Sequence, residues 1–170
     1  MVLDLQASNN GEIIRRIGIS DMVLSSHPND LLITHSLGSC VGVTMYDPVL
    51  RLGGLIHCLL PQAKMNLERA KANPYMFVDS GVQELLSQLF SRGADKRRLI
   101  IKVAGAGQFL DQKKIFNVGE RNYTVLRKVL WQNNLLIRAE EVGGTVPRTM
   151  TLSIKTGVTT IKSLGQERIL

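Results

Sequence analysis

Residues 34–61 read THSLGSCVGVTMYDPVLRLGGLIHCLLP. Two parts of this stretch, 41–46 and 54–60, are rich in β-branched and apolar residues, which is typical of β-strands. Between them lies the turn sequence DPVLR, in which Asp47 favours turn initiation and Pro48 fixes φ. The stretch therefore predicts an antiparallel β-hairpin.

Loop length sets the register of this hairpin. Loops of two or of four residues place Cys40 directly opposite His57, whereas three or five residues would shift the register by one and separate them. Because Pro48-Val49 does not suit the type I′ and II′ turns of two-residue loops, we favour a four-residue loop over 47–50. Cys40 and His57 are then predicted to be cross-strand neighbours on one face.

A thiol beside an imidazole is a candidate nucleophile, because the imidazole lowers the pKa of the thiol. The alternative is structural: Cys40 would be a small buried hydrophobe and His57 a hydrogen-bonded strand residue. The spacing leaves both interpretations open.

The residues before Cys40 fit a reactive site. Gly38 and Ser39 form a small-residue approach whose backbone N–H groups could face a developing oxyanion. Thr34 could orient the far ring nitrogen of His57 as the third member of a triad, or it could be an ordinary β-branched strand residue.

Composition bounds the class of protein. The chain has 170 residues, 44% of them hydrophobic, which predicts one soluble domain. We expect no membrane insertion and no secretory signal, and hence the reducing cytoplasm as the compartment. Cys58 is expected on the face opposite to Cys40, as a buried thiol. Without a CxxC, HExxH or Cys/His cluster, no metal and no cofactor are expected.

The chain is basic, with a net charge of +7, but its Lys and Arg residues are dispersed. Aromatic residues make up only 5%, too few for a base-stacking platform. We therefore expect no nucleic-acid partner, and an acidic protein partner fits the charge equally well.

The remaining pattern alternates strands with two long helices. Helical periodicity covers 74–92 and 118–133, and strands are predicted over part of 12–23 and at 31–33, 98–103, 135–142, 149–155 and 158–162. Residues 62–73 are predicted to be a short helix or a loop beside the site, whereas 1–10 and 164–170 are expected to be flexible. The prediction is α/β: a mixed β-sheet sandwich layered with two long helices, as a single domain.

The chain resembles a known family at these motifs. Segments 34–41, 46–48, 53–57 and 60–61, followed by Gly105-Ala106-Gly107, Gly119-Glu120-Arg121-Asn122 and Gly143-Gly144, are similar to those of the CheD chemoreceptor glutamine deamidases. The resemblance implies a Cys-His-Thr triad of Cys40, His57 and Thr34. This chain differs from the family pattern at His35 and Ser36, and His35 is expected to face solvent.

The resemblance further implies hydrolysis of receptor glutamines to glutamate through a Cys thioester. It implies methyl-accepting chemoreceptors as substrate, and a CheC-type phosphatase that links the protein to a phosphorylated response regulator. Other classes stay open: a non-catalytic regulatory binding module for receptors or a CheC-type phosphatase, a cysteine peptidase or transglutaminase-like acyl transferase, and, more distantly, a basic nucleic-acid binder.

Overall fold

Two β-sheets form the framework in the computed structural model, which describes residues 11–108 and 117–170 and the backbone of Leu5–Ala7. Within that part of the chain, the six-stranded sheet has the order β1 (Leu5–Ala7), β2 (Ile13–Ile17), β4 (Asp30–Leu37), β9 (Arg148–Ser153), β10 (Thr159–Ser163) and β11 (Gln166–Ile169). The five-stranded sheet has the order β3 (Asp21–Ser25), β6 (Leu52–Cys58), β5 (Val41–Asp47), β7 (Ile100–Gly105) and β8 (Ile137–Val142).

The helices lie on the outer face of the five-stranded sheet. The long ones are α2 (Val78–Ser91) and α3 (Val118–Gln132), and a shorter α1 (Leu67–Ala72) stands between two 3-10 turns at Ala63–Met65 and Pro74–Met76. The buried apolar residues of α2 and α3 form one cluster with the residues of β5 and β6 that face them. The molecule therefore has three layers: sheet, sheet and helices.

The five-stranded sheet is covered on both faces, so every residue of β5 and β6 is buried. Successive side chains of a strand point to opposite faces. Accordingly Val43 and Ile56 pack toward the helices, whereas Tyr46 and Leu55 pack between the two sheets against the six-stranded one.

This architecture confirms the predicted α/β sandwich with two long helices. For residues 12–23 a strand over part of the stretch is predicted; the structure has β2 there and the start of β3, which belong to different sheets. The expected flexible C-terminus also differs: Gln166–Ile169 pairs with β10, and Leu170 N donates to Thr159 O at 3.0 Å. This backbone ladder orders residues whose side chains are exposed. The expected flexibility of 1–10 falls mostly outside the described residues.

The hairpin of β5 and β6 is confirmed, but its register differs from the prediction by two. Gly42, not Cys40, stands opposite His57, because the four-residue loop spans 48–51 and not 47–50. Asp47 stays in the strand, since its buried carboxylate accepts from Val49 N and Leu50 N of the turn. A shift of two preserves the face on which each side chain lies.

A β-bulge interrupts β4 just before the hairpin. Thr34 pairs with Met150 and Leu37 with Arg148, so β4 contains one residue more than β9 between these pairs. Ser36 takes a left-handed φ of 58°, and both His35 and Ser36 are exposed. The extra residue restores the inward direction to Leu37, and it leads the chain into the turn that precedes Cys40.

Candidate active site

Cys40 and His57 lie on the same face of the five-stranded sheet, between the two sheets. His57 is opposite Gly42, and Cys40 precedes Gly42 by two residues, so Cys40 and His57 are diagonal neighbours and not direct partners. Cys58 faces the helices on the other side, as predicted, and both cysteines are free thiols. The expected same-face relationship therefore holds, although the predicted direct pairing is wrong.

The ring of His57 reaches across the interior to the other sheet. Its Nδ1 lies 2.7 Å from Thr34 Oγ1, and the same hydroxyl donates to Ile17 O at 2.8 Å. Because a hydroxyl has a single proton, Thr34 uses that proton on Ile17 O and accepts a hydrogen bond from Nδ1–H of His57. The neutral imidazole is therefore protonated at Nδ1, which leaves Nε2 with a free lone pair.

Nε2 of His57 is buried, and no protein group among the described residues forms a hydrogen bond with it. Burial lowers the pKa of His57 to about 4, because the charged imidazolium loses its water. The imidazole is thus neutral near pH 7, in the state in which Nε2 accepts a proton.

The Cys40 thiol differs from the expectation of a lowered pKa. Burial raises the pKa of this thiol, and the backbone N–H of Cys40 itself acts in the opposite direction. Only 7% of Cys40 is exposed. The resting pair is therefore a neutral thiol with a neutral imidazole, which suits proton transfer at the moment of attack more than a permanent thiolate.

Backbone hydrogen bonds to its carbonyl groups fix the turn that contains Cys40. Gly38 O accepts from Gly107 N, and Cys40 O accepts from Ala106 N, each at 2.7 Å. Gly105 makes the close approach possible, since its φ is +99° and a Cβ atom there would lie 2.4 Å from Cys40 O. The glycine turn 105–107 thus packs directly against the turn that carries Gly38, Ser39 and Cys40.

Comparison with known proteins assigns this chain to a family. The family model described as "CheD chemotactic sensory transduction" matches residues 59–163. A "Probable chemoreceptor glutamine deamidase CheD 1" of Syntrophus aciditrophicus is 41% identical over 155 residues, which are 91% of this chain and 96% of that protein. The chain belongs to the CheD family.

Other CheD relatives match over a similar length. The "Probable chemoreceptor glutamine deamidase CheD" of Solibacter usitatus is 40% identical over 91% of each chain. The family model begins two residues after His57, but alignments over 91% of the chain include the segment from Thr34 to His57. Among solved structures, a Bacillus licheniformis hypothetical protein YfiH superposes with a TM-score of 0.47 at 17% identity, covering 72% of this chain and 49% of that one.

This CheD chain contains a buried polar residue at the site to which its sequence pattern assigns no role. Asn122 of α3 is fully buried, and its Nδ2 donates to Ser39 O at 2.9 Å and to Leu59 O at 3.1 Å. In the sequence, Asn122 lies four residues before Leu126 on the apolar stripe of the helix. A polar residue in register with an apolar stripe is the signal that could have singled it out.

Two further predictions near the CheD site concern His35 and residues 62–73. His35 is exposed, and its Nδ1 lies 3.2 Å from Thr149 Oγ1, so it faces solvent as expected. Residues 62–73 form a 3-10 turn and α1, and they are tied to the core where Asp79 accepts from Ala63 N and Asn73 Nδ2 donates to Ser20 O. Ser20 N in turn donates to His57 O, which connects this segment to the strand of the candidate base.

The described residues of this CheD chain contain no group of three or more His, Cys, Asp and Glu side chains that could hold a metal ion. In the same residues, no helix is long and apolar enough to span a membrane.

Proposed function

We propose that this chain hydrolyses specific glutamine side chains of methyl-accepting chemotaxis receptors to glutamate and releases ammonia. The names of its CheD relatives support the substrate, and the structure of the site supports the chemistry. One observation carries the mechanism: the hydroxyl of Thr34 holds Nδ1–H of His57 and leaves Nε2 free on the face that carries Cys40.

In the first half-reaction, Cys40 is the nucleophile and His57 the general base. Sγ attacks the carbonyl carbon of the glutamine amide while Nε2 takes the thiol proton, so a C–S bond forms and the imidazole becomes an imidazolium. The tetrahedral intermediate then expels nitrogen, which takes the proton back from Nε2 and leaves as ammonia. A thioester between Cys40 and the substrate remains.

The second half-reaction repeats these steps with water. Neutral His57 accepts a proton from the water molecule that attacks the thioester carbonyl, and the imidazolium then returns this proton to the departing sulfur. The products are a glutamate side chain and the regenerated thiol. Because Thr34 fixes the tautomer, the same nitrogen serves as acceptor and donor in both halves.

The oxyanion of each tetrahedral intermediate requires hydrogen-bond donors. We assign the backbone N–H of Cys40 and the neighbouring N–H of Ser39 to this role, within the turn that begins at Gly38. The hydrogen bond from Asn122 Nδ2 to Ser39 O supports the assignment, because in a trans peptide it turns the Cys40 N–H to the opposite side of the peptide plane. Removal of one such donor typically reduces kcat by about 10²–10³-fold.

The segment after β6 is the contact region that we propose for the receptor. It is anchored beside the strand of His57, where Asp79 accepts from Ala63 N, and it exposes Met65 at 47% and Leu67 at 62%.

The deciding experiment is mass spectrometry of a receptor cytoplasmic fragment incubated with the protein. We expect a gain of about 1 Da at each modified glutamine, as amide becomes acid. Cys40→Ala and His57→Ala should abolish the gain, and Thr34→Val should reduce its rate by at least about tenfold, since a general base contributes about 10²–10⁴-fold in total.

Cys58→Ala is the matched control, because Cys58 is equally buried but faces the helices, and it should retain activity. Receptor cleavage or cross-linking would instead indicate a peptidase or an acyl transferase. If receptor signalling continued with Cys40→Ala, the non-catalytic binding module would be the better account. The CheC-type phosphatase stays a prediction from the resemblance, and the cytoplasmic location stays a prediction from the composition.

A further inference from the structure

Asn122 uses both protons of its amide on backbone carbonyls. Its Nδ2 donates to Ser39 O at 2.9 Å and to Leu59 O at 3.1 Å. Carbonyl oxygens only accept hydrogen bonds, so this arrangement determines which side-chain atom is nitrogen and which is oxygen. A buried NH₂ group would destabilise the protein unless it were hydrogen-bonded, and here its bonds go to two segments outside α3, whereas the amide oxygen has no described partner.

The two carbonyls belong to the segments that carry the candidate nucleophile and base. Ser39 immediately precedes Cys40, and Leu59 follows His57 by two residues. One NH₂ group therefore joins the turn of Cys40 to the end of β6.

The hydrogen bond from Asn122 to Ser39 O determines the direction of the Cys40 N–H. In a trans peptide the C=O of one residue and the N–H of the next point in opposite directions within one plane, and no described peptide bond is cis. Asn122 therefore directs the N–H of Cys40 away from α3 by fixing the Ser39 carbonyl. In the same way, the bond from Gly107 N to Gly38 O directs the N–H of Ser39.

We propose that Asn122 is a positioning residue for the oxyanion site: it fixes the Ser39–Cys40 peptide plane so that the Cys40 N–H faces the reacting carbonyl, and it ties that plane to the strand of His57. The inference rests on the proposed deamidase function and assigns no contact with substrate to Asn122. It predicts that loss of the Asn122 donor lowers kcat and leaves KM nearly unchanged.

Asn122→Asp removes the NH₂ donor and keeps the size and shape of the side chain. An ionised carboxylate would repel the two carbonyls, whereas the neutral acid still donates one hydrogen bond, and burial raises the pKa of such a carboxyl. We expect kcat to fall by about 10²–10³-fold at alkaline pH, with partial recovery as the pH falls toward 5. Wild type should lack this acid recovery, and KM should change by less than about twofold.

Asn133→Asp is the matched control. Asn133 ends the same helix, and its Nδ2 also donates to a backbone carbonyl, Val129 O at 2.8 Å, but it contacts neither Ser39 nor Leu59. This variant should keep wild-type kcat and pH profile. If Asn122→Asp does not fold, Asn122→Ser replaces it, because serine retains one uncharged donor and should show an intermediate loss of kcat.

A second measurement keeps this inference separate from the deamidase function. The NMR chemical shift and hydrogen-exchange rate of the Cys40 amide report the peptide plane without any turnover, and both should change in Asn122→Asp but not in Asn133→Asp. If wild type showed no Cys40-dependent mass gain, the deamidase function would fail while this measurement still tested the positioning. Unchanged kcat, or an unchanged Cys40 amide in the folded variant, overturns the proposal.

Discussion

The two nitrogens of His57 have different surroundings, and this difference determines how the residue can act. Nδ1 is held by Thr34, whose own proton is used on Ile17 O, whereas Nε2 has no described protein partner. A ring fixed at one nitrogen and free at the other needs no change of tautomer during a proton-transfer cycle. In the proposed mechanism, the orientation of the His57 ring therefore depends on one hydroxyl from the opposite sheet.

Burial of His57 predicts a pH dependence of stability. In the unfolded chain this imidazole takes a proton below about pH 6.5, whereas in the folded protein its pKa is about 4. The unfolded state therefore binds more protons as the pH falls from 6.5 to 4, and the contribution of His57 to the free energy of unfolding is lost over this range. The full loss is about 3 kcal/mol.

Urea denaturation of wild type and His57→Asn between pH 7 and pH 4 measures this term. Asparagine retains an N–H for Thr34 but does not titrate, so the difference in unfolding free energy between the two proteins isolates the imidazole. We expect wild type to lose stability more steeply than the variant. Parallel pH dependences would show that His57 protonates in the folded state as easily as in the unfolded chain.

The sequence singles out Cys40 and His57 because the predicted hairpin places both side chains on one face of the sheet. The structure confirms this, since both lie between the two sheets. The role of Thr34 could not follow from spacing, because its partner Ile17 O comes from a parallel strand that no local pattern pairs with it. The contacts of Asn122 were missed for the same reason, because its acceptors are backbone atoms of two distant segments.

Among the elements, the glycine turn after β7 is the one on which the Cys40 turn rests. Gly105→Ala should destabilise the protein by more than about 2 kcal/mol, since it combines a left-handed φ with a contact of 2.4 Å to Cys40 O. Activity should fall as well, because relief of the clash displaces the Cys40 turn. Chemical denaturation and the receptor mass assay measure the two effects.

Gly93→Ala is the control for backbone strain alone. Gly93 has a φ of +92°, close to that of Gly105, but the nearest atom to an added Cβ is Leu50 Cδ1 at 3.8 Å. Gly93→Ala should lower the free energy of unfolding by about 1–2 kcal/mol and leave activity unchanged. Equal losses of activity in both variants would mean that the contact between Gly105 and Cys40 does not support the site.

Local sequence signals predict some of the elements, but not the hairpin register or strand β11. The length of the hairpin loop and the presence of both long helices follow from local signals, namely turn residues and helical periodicity. The first helix was predicted from Pro74, but α2 begins at Val78, because Pro74–Met76 forms a separate 3-10 turn. The register was displaced because the side chain of Asp47 caps the turn from the last strand position, and a four-residue loop therefore begins one residue later. Strand β11 carries no hydrophobic alternation. Backbone pairing with β10 and polar contacts of Glu167 and Arg168 hold it in place.

The whole molecule assembles its site from both sheets. Thr34 belongs to the six-stranded sheet and His57 to the five-stranded one, and the turn of Cys40 connects the two. Their geometry therefore exists only when the sandwich has closed. Helix α3 adds Asn122 from the third layer. The site is thus a property of the complete fold, which explains why no single segment predicts all of it.

The net charge of +7 predicts salt-dependent encounter with an acidic receptor surface. Raising the ionic strength from about 0.05 M to about 0.5 M shortens the Debye length to a few ångströms, and kcat/KM for the receptor should fall by about tenfold. The value of kcat at saturating receptor should stay constant. Steady-state kinetics at several salt concentrations measure both.

A short uncharged glutamine peptide is the matching control substrate, and its kcat/KM should not vary with salt. A similar decline for both substrates would place the salt effect in the protein itself and not in long-range attraction.

The placement of the two thiols on opposite faces of one sheet has a consequence for oxidation. Side chains that point away from each other through a sheet cannot form a disulfide without moving the backbone. If Cys40 is oxidised to a sulfenic acid, Cys58 is therefore not available to resolve it. Recovery then depends on a thiol from outside the chain, such as glutathione, and the oxidant sensitivity of the protein follows the reducing capacity of its surroundings.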